Sequence, residues 1–165
     1  MEKIILKIAN PKGKSIGKYK NNKDIKHLLE YVVTDKDTGT KVKYWDCRGL
    51  VRNIKDSVKI ISSIQKYMGK DEGRRMYHFI ISFPEKVDDL NIVCIVADAI
   101  ADYIGQEYQL MYGIHTNTNN LHIHIAMNSV SYRTGLKWHK NKTEFAQWKK
   151  HVVSIAESIL RDFFY

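Results

Sequence analysis

Three of the seven histidines in this chain, His115, His122 and His124, fall within ten positions. Imidazole is both a metal ligand and a proton carrier, so such a cluster is where chemistry is first sought. In Leu121-His122-Ile123-His124-Ile125 the histidines alternate with aliphatic residues, which predicts a strand with both imidazoles on one face. A polar turn rich in Asn and Thr precedes it, both residue types that suit turns. Symmetrical closure of a hairpin about Thr118 and Asn119 sets His115 opposite His122, with side chains about 5 Å apart. His124 then follows one step along on the same face. Three imidazoles in that register would converge as a three-nitrogen metal site with positions open for a substrate. Ala126 and Asn128 continue the face, one leaving room and the other offering a polar contact. The competing reading is a polar strand face with three solvated histidines. A structural zinc site is disfavoured, because it wants a fourth protein ligand and neither Cys47 nor Cys94 is near in sequence. His27, His78, His139 and His151 lack such company and read as ordinary surface or core histidines.

A tri-histidine metal acts as a Lewis acid on a phosphodiester, and a basic chain would bring one. With Lys+Arg 27 against Asp+Glu 18, the net charge is +9 and the pI about 9.4. That balance suits an anionic polymer held through counterion release. Ten tyrosines and three tryptophans, many beside lysines as in Lys18-Tyr19-Lys20, offer rings for stacking unpaired bases, although packing is the commoner use of such rings. A phenol can also be the nucleophile. Tyr31 ends a predicted helix, and His27 lies one turn earlier on the same face, as a proton acceptor or a second nucleophile. A helix aromatic packed at the sheet edge is the alternative reading of Tyr31.

The elements that must position these residues follow from periodicity and punctuation. Lys3–Ala9 predicts an opening strand, followed by a basic loop over 13–22. Asp24–Val33 predicts a helix with the stripe Ile25, Leu28, Leu29 and Val32, broken by Asp35-Lys36-Asp37-Thr38-Gly39. An extended segment follows over Lys41–Cys47, then a helix capped by Asn53 and running to about Met68. Met76–Phe83 predicts a central strand stopped by Pro84. A helix opens at Asp88 or Asp89 and is ended by Gly105. Two strands, Gln109–Thr116 and Leu121–Ser129, and a closing helix over Thr143–Phe163 complete the series. The expected fold is α+β, one domain over 1–165, with a largely antiparallel sheet and helices packed on it. No apolar run approaches the roughly 18 residues of a membrane span, and the apolar stretch in Met1–Leu6 is too short for a secretory signal. With two cysteines in unrelated contexts, the expectation is a cytoplasmic chain with reduced thiols.

Several of these motifs together resemble the relaxase or mobilization nuclease domain of conjugative elements, within the HUH endonuclease superfamily. His122-Ile123-His124 matches the signature of two histidines flanking a hydrophobic residue, and His115 matches the upstream third ligand. Asn128-Ser129-Val130 resembles the usual sequel. Leu28-Leu29-Glu30-Tyr31-Val32-Val33 resembles the motif holding the catalytic tyrosine. Tyr77 to Glu85, with Ser82-Phe83 before an acidic residue, resembles the middle motif, and Gly135-Leu136-Lys137-Trp138 also fits. The resemblance runs from about residue 1 to 160. It departs at Asn117, where Asp is usual, and at Asn120, where a further His is common.

The resemblance implies a metal-dependent, strand-specific nuclease acting on a hairpin and adjoining single strand at an origin of transfer. Tyr31 would attack and leave a 5′-phosphotyrosyl link, with Mn²⁺ or Mg²⁺ held by His115, His122 and His124. Ser82, Asn117 and Asn128 would support the ligands from behind. Lys18, Lys20, Arg133, Lys137, Trp138 and Lys140 would contact DNA. Relaxosome accessory and coupling proteins would be partners. A rolling-circle replication initiator uses the same chemistry with the tyrosine after the histidines, which would point to Tyr132 or Tyr165. A non-catalytic single-strand-binding module and a small-molecule metal hydrolase are the remaining rivals, and the hydrolase leaves the charge unexplained.

Overall fold

A computed structural model describes residues 3–9 and 19–164. The elements in chain order are β1 (Ile5–Ala9), α1 (Asn22–Val33), β2 (Tyr44–Arg48), α2 (Ile54–Tyr67), β3 (Met76–Ser82), α3 (Leu90–Gly105), β4 (Leu110–His115), β5 (His122–Asn128) and α4 (Lys142–Phe164). Each helix start has a side-chain cap that accepts an otherwise orphaned backbone N–H. Asn21 accepts from Asp24, Asn53 from Asp56, Asp89 from Asn91 and Ile92, and Asn141 from Glu144.

The strands form one antiparallel sheet in the order β1-β3-β5-β4-β2. The fold is therefore the expected α+β arrangement, and β5, which carries two of the clustered histidines, is the central strand. Alternation along the strands divides the core in two. Phe79, Ile81, Tyr112, Ile114, Ile123 and Ile125 meet α3 and α4 on one face. Met76, Met111 and Ala126 meet α1 and α2 on the other. By the same alternation His78, Gly113, His115, His122 and His124 belong to the α1 face. A helix of 12 residues is marginal alone. Ile25, Leu28, Leu29, Val32 and Val33 are buried against the sheet and α2 and hold α1 in place.

Two local expectations change. The extended segment after α1 starts as a strand at Tyr44 rather than Lys41, because Val42 N–H donates to the Val33 carbonyl and Lys41 bridges Thr34. These bonds tie the segment to the end of α1 before it reaches the sheet. α3 does end at Gly105, as expected, but the residue stays helical rather than turning left-handed. Its missing side chain admits Arg48 instead, whose Cβ would lie 2.9 Å from an added Cβ.

Candidate metal and nucleophile site

The hairpin closes in the symmetrical register, with Gly113 opposite His124 and His115 opposite His122. Thr118 Oγ1 tightens the turn by donating to the Asn120 carbonyl at 2.9 Å. His115 and His124 are 4% and 7% exposed, so neither can carry charge cheaply, while His122 is half-buried at the rim. The ring centroids of His115 and His124 are 4.1 Å apart, whereas those of His122 and His124 are 6.3 Å apart. The expected convergence is therefore closest for one pair, with His122 standing off. Among the described residues, no three His, Cys, Asp or Glu side chains are already gathered at metal-binding distance.

The donor chemistry nevertheless fits a divalent cation. His115 Nε2 lies 2.9 Å from the Val32 carbonyl, an acceptor only, so that nitrogen carries the proton and Nδ1 keeps its lone pair. His124 uses Nδ1 in a 2.9 Å contact with His78 Nε2, and His122 Nδ1 sits 3.3 Å from the Thr118 hydroxyl. Nδ1 of His115 and Nε2 of His124 have no hydrogen bond among the described residues, while the His122 ring also meets the Asn120 carbonyl, a hydrogen bond that partly offsets its burial. His115 and His124 show the pattern of ligating histidines, one nitrogen steered and the other spare.

The electrostatics agree. Burial is the largest cause of a lowered pKa at all four rings, His78 to about 4 and His124 to about 2. At His115 the Val32 hydrogen bond partly offsets burial. Lys36 adds repulsion at His78, His115 and His124, and Lys7 at His78 and His122. Neutral imidazoles keep lone pairs for a cation, and the lysines, which oppose a cation alone, favour the phosphate that would arrive with it.

Tyr31 reaches this site because α1 ends directly on β4. Its ring centroid lies 5.5 Å from those of His78 and His124, edge to face, and 6.1 Å from that of His115, stacked. Lys36 Nζ stands 4.6 Å from the same ring centroid. Gly113 permits the approach. A Cβ there would meet the Val32 carbonyl oxygen at 2.2 Å. The glycine thus lets the helix end close enough to place both the Val32 carbonyl on His115 and Tyr31 over the histidines.

The remaining candidates are scattered. His27 is exposed, with no hydrogen bond to Tyr31 among the described residues. Ser82 pairs with His122 across the β3–β5 ladder. Asn117 is exposed, and the Val32 carbonyl takes the place it was expected to fill behind His115. Asn128 is fully buried, but its amide joins Gln65 at 2.7 Å, Gln109 at 3.0 Å and the Val130 N–H at 2.9 Å. That network pins the end of β5 rather than supporting a ligand.

Lys18 and Tyr165 lie outside the described residues. Lys20 is exposed before α1, at the end opposite Tyr31, and Arg133 is exposed beyond the Asn128 end of β5. Lys137 donates to the carbonyls of Glu72 and of Arg74, so its ammonium holds a loop together. Burial and neighbouring Lys70 and Arg75 lower its pKa. Trp138 is only 6% exposed and packs against Tyr77, Phe79, Phe145 and Trp148, with Lys140 Nζ 5.8 Å from its ring centroid. That burial corrects the expectation that Trp138 contacts DNA. Its indole is core. The residues that sequence reasoning passed over are His78, Lys7, Lys36, Gly113 and the Val32 carbonyl. The signal available for His78 was its place in the alternation His78, Ile80, Ser82, two residues apart on one strand face.

A family model described as "Relaxase: MobA/VirD2-like, nuclease domain" matches residues 31–158, most of the chain. Among solved structures, a chain described as "Molecular Basis of Vancomycin Resistance Transfer in Staphylococcus aureus" is similar in fold. Its TM-score is 0.63 at 12% identity, covering 98% of this chain and 93% of that one. No curated protein matches the sequence. No helix among the described residues is long and apolar enough to cross a membrane.

Proposed function

This chain belongs to the MobA/VirD2-like relaxases, as their DNA-nicking nuclease domain in conjugative transfer, and from that membership we propose a metal-dependent, strand-specific nickase with Tyr31 as its nucleophile. Tyr31 Oη attacks the scissile phosphorus and the bond to the 3′ oxygen breaks. The product is a 5′-phosphotyrosyl link and a free 3′-hydroxyl. The phenolic proton leaves as the new bond forms, and the departing 3′ oxygen takes one up. The link keeps the energy of a phosphodiester, so attack by a 3′-hydroxyl reverses the step and rejoins the strand. A divalent cation, Mn²⁺ or Mg²⁺, held by His115, His122 and His124 would polarise the phosphate and stabilise its charge in the transition state. Lys36 and Lys7 draw the phosphate towards the histidine face, and the Val32 carbonyl and His78 hold two of the rings.

The observation that carries this reading is the contact of the Tyr31 ring with the rings of His78, His115 and His124. His27, exposed and one turn away, is the proposed acceptor of the phenolic proton and the weaker candidate for nucleophile. Tyr132 belongs to a different neighbourhood. Its hydroxyl donates to the Gly105 carbonyl at 2.6 Å, at the end of α3.

The test is a single-stranded oligonucleotide carrying the native origin, incubated with the protein and Mn²⁺, denatured, and mapped for a DNA-linked peptide. The adduct should map to Tyr31. Tyr31→Phe should lose both nick and adduct while its melting temperature changes little, since only a hydroxyl at a wet site is removed. An adduct that survives in Tyr31→Phe but is lost in His27→Ala would move the nucleophile to histidine. An adduct on Tyr132 or Tyr165 would favour the replication-initiator order, and no adduct from the wild type would leave a binding module.

A further inference from the structure

His78 has no role in the sequence argument, yet it is 6% exposed and its Nε2 lies 2.9 Å from His124 Nδ1. Two neutral imidazole nitrogens at that distance share one proton, so one donates and the other accepts. The choice decides whether His124 can ligate. If Nδ1 of His124 donates, its Nε2 keeps a lone pair; if Nε2 of His78 donates, the proton of His124 moves to Nε2 and the lone pair is lost. His115 faces no such choice, because its partner is a carbonyl. His124 depends on its neighbour.

No carboxylate competes for either role among the described hydrogen bonds. The acid felt by His115 is Asp35, and its Oδ1 accepts from the Asp37 N–H within its own turn. The groups that steer the three rings are two backbone carbonyls, a hydroxyl and an imidazole, all neutral. We propose that His78 is a positioning residue that holds His124 in its Nδ1–H tautomer, keeping the Nε2 lone pair free for a divalent cation in a ligand set without negative charge. This rests on the reading above, in which His124 is a metal ligand. The alternative is that His78 merely fills space beneath Tyr31.

Two variants separate these roles. His78→Phe keeps a ring of similar size and removes the acceptor. His78→Gln brings an amide oxygen to about the place of Nε2 and restores it. Mn²⁺ affinity, read by calorimetry without DNA, should fall about 10- to 100-fold in His78→Phe and recover most of that loss in His78→Gln. Long-range ¹H–¹⁵N spectra of the metal-free wild type should show His124 protonated at Nδ1. Protonation at Nε2 overturns the proposal without any variant, so it stays testable even if His78→Phe fails to fold. Wild-type Mn²⁺ affinity in a folded His78→Phe also overturns it while leaving the metal reading intact. A wild type that binds no Mn²⁺ overturns the metal reading, and this proposal with it.

Discussion

Gly113→Ala is a change of one methyl group that should disable the site from beneath. The added Cβ would sit 2.2 Å from the Val32 oxygen, 3.3 Å from its carbon and 3.0 Å from Val42 Cγ2. An ordinary carbon–oxygen contact is at least ~3.3 Å, so the end of α1 must retreat by roughly 1 Å. Backbone cannot rotate away as a side-chain tip can. A retreat of that size stretches the 2.9 Å bond from His115 to the Val32 carbonyl past hydrogen-bonding range. Tyr31 is the preceding residue and moves with it.

The costs are overpacking at about 1–3 kcal/mol and a buried donor left unpaired at about 1–3 kcal/mol. Loss of chain freedom in the unfolded state offsets about 0.4–1 kcal/mol. The net loss of stability is on the order of 1–5 kcal/mol, and a shift of ~1 Å in the nucleophile is expected to slow adduct formation about 100-fold. Gly105→Ala is the matched control. Its Cβ would meet Arg48 Cβ at 2.9 Å on the opposite face of the sheet, away from the histidines. Urea titrations and adduct-formation rates, corrected for the fraction folded, compare the two. Gly105→Ala should lose stability with little change in rate per folded molecule. A Gly113→Ala protein with unchanged stability and wild-type rate would refute the reasoning, as would equal rate losses in both variants.

Alanine at His115, His122 or His124 should each lower Mn²⁺ affinity at least as much as the loss of an outer partner, about tenfold or more. The stability costs should differ: His122→Ala, half-buried, is the mildest, and His124→Ala, which also strands His78 Nε2, is the most severe. Calorimetry and thermal melts check both orders; unchanged affinity in all three would sink the metal assignment. In the metal-free protein, His78 at about 4 and His124 lie below the unfolded value of 6.5. Between those limits the unfolded chain takes up protons that the folded rings refuse. Stability is therefore complete above pH 6.5 and falls as the pH drops towards 4, which urea midpoints at several pH values would show. His78→Phe should flatten that fall, and a midpoint flat across this range in the wild type would contradict it.

The hairpin was legible because its information is local. Alternation assigns the faces of His122 and His124, and the length of the turn sets His115 opposite His122, all within a short run of chain. The same holds for the caps Asn53 and Asp89, for the stripe on α1 and for the α+β class. Gly105 reads as a helix stop in sequence because glycine so often is one; its close approach to Arg48 depends on a strand more than fifty residues earlier. Trp138 stands in a motif expected to contact DNA, and only its packing between β3 and α4 makes it core.

The site itself needed the tertiary structure wherever its parts come from distant elements. The sequence by itself determined that three imidazoles share one strand-pair face and that a tyrosine ends a helix. Only the fold decided that β3 lies against β5, bringing His78 to His124, and that α1 ends on Gly113, bringing the Val32 carbonyl to His115 and Tyr31 over the rings. The physical reason is that side-chain periodicity is written by neighbouring residues. Strand order and helix approach are set instead by the joint burial of many side chains and by one missing Cβ, which leaves no periodic trace in the chain.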